Sequence, residues 1–146
     1  MAQQHLTVVT LGVSDLDRAR RFYRDGLGWE VVADIQDTVF VQVGHSLLLS
    51  LWGVAELAED LGGAPLEQEG PGRFTLGCNV GSEAEVDAVV ERFVAAGGSL
   101  VRPAEHAFWG GYQAYVADPE GFRWDVVHNP GMAFTEDGRA VLRDLS

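Results

Sequence analysis

The 146-residue chain carries 22 acidic residues against 10 basic ones, a formal net charge of −12. Every base is Arg, so Schiff-base lysine chemistry and a P-loop lysine are excluded, and the acidic balance speaks against nucleic acid and anionic membranes as partners. No run approaches the ~20 apolar residues of a spanning helix, Met1–His5 lacks a basic leader, and the single Cys78 allows no internal disulfide or Cys-cluster metal site; a cytoplasmic location is expected.

The first element is a β-rich run, Thr7–Val13. Ser14-Asp15-Leu16-Asp17 follows it with the capping-box signature of a helix start. Leu16, Ala19, Tyr23 and Leu27 then fall near helical spacing. Asp15 and Asp17 lie in the first turn and Arg20, Arg21 and Arg24 toward the end, which complements the helix dipole. Gly26 and Gly28 supply stops. Three strands are expected next, at Trp29–Asp34, Thr38–Val43 and Ser46–Trp52, with Gly44-His45 turning between the last two.

Residues 53–72 read as a linker rich in Gly, Pro and Glu, in which Val54–Leu61 can be helical. The pattern then starts again. Phe74–Val80 is β-rich, and Ser82 to Glu85 repeats the cap. Val86, Val89, Val90, Phe93 and Val94 follow helical periodicity up to Gly97-Gly98. Strands are expected at Ser99–Arg102, Tyr112–Ala117 and Phe122–His128, the last two joined by the strong turn Asp118-Pro119-Glu120-Gly121. From Asn129 the chain reads as loop, with one short strand or turn near Ala140–Leu142.

The two cap serines stand 68 positions apart, nearly half the chain, which indicates an internal repeat. The fold class expected is α+β: two tandem βαβββ modules whose curled mixed sheet surrounds a cavity, with helices on the outer face. The organisation expected is a first module over 1–52, a linker over 53–72, a second module over 73–128 and an extension over 129–146, together one structural domain.

Specific stretches carry a family likeness. They are Leu11-Gly12-Val13-Ser14-Asp15-Leu16, Arg21-Phe22-Tyr23-Arg24-Asp25-Gly26-Leu27-Gly28-Trp29, Phe108-Trp109-Gly110-Gly111-Tyr112 and Tyr115 to Asp125. With the repeat, they make the chain resemble the vicinal oxygen chelate superfamily, which includes glyoxalase I, bleomycin-binding resistance proteins and extradiol dioxygenases. The resemblance implies a metal-ligand position on the first and last strand of each module. Those positions fall on Val8, Ser50, Thr75 and Asp125. Of these, Asp125 alone is a competent donor to a divalent ion, which needs about three protein ligands. The histidines offer no clear substitute. His5 and His128 fall on the opposite faces of their strands, His45 lies in a turn and His106 in the loop before Trp109. No metal ligand is therefore assigned and no cofactor is expected, a divalent metal being the disfavoured alternative.

Strand alternation from those reference positions predicts the cavity lining. Val8, Thr10, Ser50, Trp52, Thr75, Asn79, Arg123 and Asp125 face inward. The resemblance, whose fosfomycin-resistance members carry a substrate-site tyrosine at the position of Tyr115, implies that Gln113 and Tyr115 face inward too, while Trp109 and Tyr112 form a rim. Trp124 and Cys78 pack behind. An apolar, aromatic lining with a few polar groups is the character of a small-molecule pocket. Asp125 reads equally as an acid/base group with a raised pKa or as an ion-pair partner of Arg123 or Arg73. The leading expectation is a metal-free pocket that binds a small aromatic or cationic molecule, in a homodimer. The alternatives are a lyase, isomerase or dioxygenase with an atypical metal site or with acid/base chemistry at Asp125 and Tyr115, and a ligand-free scaffold.

Overall fold

The computed structural model describes residues 4–66 and 70–142. Contacts divide the chain into two compact units, Met1–Glu69 and Gly70–Ser146. Each holds a four-stranded mixed sheet with helical cover, so the α+β class and the tandem βαβββ modules are found.

In the first unit, strands β1 (Val8–Val13), β2 (Val31–Ile35), β3 (Thr38–Gly44) and β4 (Leu47–Gly53) lie in the order β1-β4-β3-β2. β1 runs parallel to β4, and the other pairs are antiparallel. The apolar face is set by alternation: Leu11 and Val13 of β1, Val39 and Val41 of β3, and Leu49 and Leu51 of β4 are all buried. Helix α1 (Leu16–Arg20) supplies Ala19 to this core. The first helix expected from the sequence is found, but not with uniform α geometry. The chain passes at Arg21 into a π-helical segment, Arg21–Gly26, in which Leu27 N–H donates to Phe22 O. That widened turn places the adjacent rings Phe22 and Tyr23 both in the core, edge to face at 4.8 Å. Trp29 then packs tilted against Tyr23 at 5.6 Å, and the strand begins at Val31.

The first cap also differs from the sequence reading. Asp15, not Ser14, is the N-cap, and its carboxylate accepts from Arg18 N–H at 3.0 Å. The linker contains α2 (Val54–Asp60), as its composition allowed.

In the second unit, β5 (Leu76–Asn79), β6 (Ser99–His106), β7 (Tyr112–Ala117) and β8 (Arg123–His128) are ordered β5-β8-β7-β6. Helix α3 (Glu83–Ala95) begins at Ser82, whose hydroxyl accepts from Glu85 N–H at 3.1 Å. Glu85 reaches back to Gly81 N–H at 2.8 Å, one residue before the cap. The helix buries Val86 and Phe93 against the sheet, and Phe93 meets Trp124 of β8 at 5.8 Å. Trp124 therefore packs on the helix side, as alternation predicted. The turn after β7 also matches: Asp118 Oδ1 accepts from both Glu120 N–H and Phe122 N–H, and Gly121 takes a φ of 97°.

Two elements exceed the sequence reading. β6 runs four residues further than Ser99–Arg102, through Pro103 and two register shifts. An edge strand tolerates both, because half its hydrogen-bonding groups face no neighbour. The extension folds as a hairpin of β9 (Met132–Phe134) and β10 (Ala140–Leu142), where the sequence pattern indicates loop for β9. Among the described residues no helix is long and apolar enough to cross a membrane.

Candidate functional site

The second sheet brings three predicted site residues together on the face away from α3. Gln113 and Tyr115 stand two apart on β7, hence on one face, and Tyr115 is directly opposite Asp125 on β8. The Gln113 amide Nε2 donates to Asp125 Oδ1 at 2.8 Å and reaches the Tyr115 hydroxyl at 3.3 Å. On its other side Asp125 is in register with Gly77 of β5, and a Cβ built at Gly77 meets nothing closer than Asn79 Oδ1 at 3.8 Å. The carboxylate thus has an open flank. Burial pushes the Asp125 pKa up, and the Gln113 hydrogen bond opposes this in part. Among the described residues Asp125 forms no ion pair with Arg123 or Arg73, and Arg123 instead donates to Gly121 O at 2.6 Å.

A pocket of about 220 Å³ opens beside this cluster. Its walls are Arg102 and Glu105 of β6, the chain from His106 to Trp109, and Gln113 and Tyr115. Asp125 lies one hydrogen bond behind the lining, through Gln113. Phe108 is fully exposed, and Trp109 is 44% exposed. Arg102 binds Glu105 through Nε and Nη2. Sequence reasoning missed Arg102, Glu105 and Phe108, because it ended β6 at Arg102 and so lost their register against β7. The long run of β-compatible residues up to His106 was the available signal.

Tyr112 is not brought to the rim. It faces α3, where its hydroxyl donates to Asp87 Oδ1 at 2.9 Å, and this bond holds its pKa above the usual range. Alternation decides the matter, since Tyr112 is one residue from Gln113 and must take the other face. His106 ends β6 with Nε2 3.0 Å from Glu83 Oε1. His128 lies 3.2 Å from Val80 O, and His45 is exposed between β3 and β4. Cys78 is half-buried, and burial raises its pKa, away from nucleophilic use. Thr75 precedes β5 and is exposed, while Asn79 closes that strand.

In the first unit Val8 and Thr10 are exposed, and Thr10 pairs with buried Ser50 across β1 and β4. The Trp52 indole N–H is buried and has no acceptor among the described residues. An unmet buried donor costs about 1–3 kcal/mol.

A family model described as Glyoxalase/Bleomycin resistance protein/Dioxygenase superfamily matches residues 4–126. The chain belongs to this superfamily. A crystal structure of a glyoxalase-related enzyme from Fulvimarina pelagi is 39% identical, with a TM-score of 0.88, over 97% of this chain and 100% of that one. A glyoxalase/bleomycin resistance protein/dioxygenase from Nocardioides is 25% identical, with a TM-score of 0.71, over 88% and 85%. A lactoylglutathione lyase from Agrobacterium tumefaciens shares the fold at 24% identity and a TM-score of 0.69, over 88% and 96%. No curated protein matches the sequence.

Metal-dependent members of the superfamily set the standard for the four strand positions Val8, Ser50, Thr75 and Asp125. One valine side chain, two neutral hydroxyls and one carboxylate do not meet the donor needs of a divalent ion. Among the described residues no group of three His, Cys, Asp or Glu is placed to hold one. The residues present therefore do not fit the metal, and no chemical step is routed through it.

Proposed function

We propose that this superfamily member binds a small planar aromatic molecule, neutral or cationic, in a metal-free pocket of its second module. One observation carries the reading: Trp109, Phe108 and Tyr115 surround a pocket of about 220 Å³ beside the Gln113–Asp125 pair. Exposed rings in a concave setting bind flat ligands by stacking, and the Gln113 amide, fixed from behind by Asp125, orients them by hydrogen bonds. The unmet Trp52 donor supports a ligand or water acceptor at the first module as well. The protein works as a homodimer in the cytoplasm. That part rests on edge strands such as β2, whose exposed Val32 and Ile35 invite pairing, and sedimentation at micromolar concentration tests it.

The test of binding is a titration with planar aromatic compounds, 9-aminoacridine among them, followed by Trp fluorescence. Saturable quenching is expected, with affinity at least tenfold weaker in Trp109→Ala. Unchanged fluorescence across neutral and cationic members of the panel sinks the reading.

A second reading is supported by the 39% identity to a structure described as a glyoxalase-related enzyme. In it Asp125 acts as general acid or base and Tyr115 donates to the developing charge, without a metal. Turnover of a 2-oxoaldehyde hemithioacetal that Asp125→Asn abolishes would favour it. Metal content of protein purified without chelator, with activity after reloading, tests the metal-dependent form.

A further inference from the structure

The loop Ala107–Gly111 carries the two exposed rings of the pocket and is closed on itself. Ala107 N–H donates to Gly111 O at 2.8 Å and Gly110 N–H to Ala107 O at 3.0 Å, with Gly110 at a φ of 99°. The Trp109 ring covers Gly111 so closely that a Cβ there has no room. What orients this closed loop is a separate matter, because the strand leading into it is irregular further back. β6 shifts register against β7 twice, the second time between Arg102 and Glu105. Beyond that shift the ladder resumes at Glu105–Gln113 and His106–Tyr112, so only a short regular stretch joins the loop to the sheet.

The flanking side chains add to that short stretch of ladder. His106 ends β6 and Tyr112 opens β7, directly opposite each other, with ring centroids 5.0 Å apart. Each is tied to α3: His106 Nε2 lies 3.0 Å from Glu83 Oε1, and Tyr112 OH donates to Asp87 Oδ1 at 2.9 Å. Glu83 and Asp87 are four residues apart, so they share one helix face. The start of that helix is itself pinned by Ser82 and by the Glu85–Gly81 bond. Arg102 and Glu105 of β6 are paired with each other.

We propose that Glu83 and Asp87, acting through His106 and Tyr112, are positioning residues that aim the Trp109 loop, so that the outer helix α3 sets the affinity of a pocket on the opposite face of the sheet. The affinity clause rests on the binding function proposed above. Ties this exposed contribute little to global stability. Their loss acts locally, on the loop they flank, and this separates positioning from a general structural role.

The experiment labels the chain with 5-fluorotryptophan and assigns the Trp109 fluorine resonance by its loss in Trp109→Phe. In Tyr112→Phe and Glu83→Ala the Trp109 resonance is expected to shift or broaden. Exchange of the Ala107 and Gly110 amides should speed roughly three- to tenfold, the size of one lost hydrogen bond. The Trp29 and Trp124 resonances should stay in place. Asp87→Asn keeps an acceptor for the phenol and should retain the wild-type signature, whereas Asp87→Ala should not. The dissociation constant for 9-aminoacridine should rise roughly three- to tenfold in Asp87→Ala and not in Asp87→Asn. An unmoved Trp109 resonance and unchanged loop amides in Tyr112→Phe and Glu83→Ala overturn the positioning role. Wild-type affinity in Asp87→Ala overturns the control of binding. If no chain binds the probe, wild type included, the binding function itself fails, and the fluorine and exchange data still decide the positioning.

Discussion

Asp125 is where the chemistry of single residues is most concentrated. Burial makes its charged form costly, and Gln113 offsets this only in part. A carboxyl whose folded pKa is raised contributes stability below its unfolded value, near 3.9, and loses that contribution as pH rises through the folded value. Asp125→Asn keeps an acceptor for Gln113 and removes the charge. It is expected to raise the thermal midpoint at pH 7 by about 1–2 °C, a shift kept small by the partial exposure of the group. It should also flatten the midpoint's dependence on pH between 4 and 7; thermal scans of both chains across that range check it. Gly111 offers a second test at this scale. Gly111→Ala drives a Cβ into the Trp109 ring, and that exposed ring is free to swing away. The expected result is a changed Trp emission spectrum and weaker 9-aminoacridine binding, with a stability loss under about 1 kcal/mol by urea titration.

At the scale of elements, α3 is the member whose formation the residues most plainly dictate. Its cap, its acidic first turn and its Val86–Phe93 stripe agree with one another. Ser82→Ala removes the acceptor for Glu85 N–H and is expected to cost about 1 kcal/mol in urea unfolding. Phe93→Ala should cost about 3–5 kcal/mol, since the ring is fully buried against Trp124. The first helix shows where local pattern fails. Leu16, Ala19, Tyr23 and Leu27 suggest one uniform helix, yet burying Phe22 beside Tyr23 demands a π-helical turn. Packing of two adjacent rings outweighs the ideal period, and spacing alone carries no trace of it.

At the scale of the whole molecule, the net charge of −12 bears on what approaches the protein. The pocket lining itself is nearly balanced, with Arg102 set against Glu105. Asp125 lies one hydrogen bond behind this lining, so a preference for cations is expected chiefly from the long-range field. Association of 9-aminoacridine is accordingly expected to slow several-fold between 20 and 500 mM salt, with little change in its dissociation rate by stopped flow. A dissociation rate that carries the whole salt effect would place the charge in the pocket instead.

The residues by themselves determined the repeat, the strand faces and most of the buried set, because alternation and helical period are local and the two modules restate them. They also determined that Val8, Ser50 and Thr75 lack the donors a divalent ion needs, since that is a matter of side-chain chemistry. Period two placed Gln113 and Tyr115 on one face of their strand, but that Asp125 shares this face was implied only by the family resemblance. Tertiary structure decided the rest. It extended β6 to His106, drew Tyr112 onto Asp87 and brought Arg102, Glu105 and Phe108 around the pocket. Those outcomes depend on register between strands and on the helix packed behind them. Register is fixed by contacts between residues far apart in the chain, which no local pattern records.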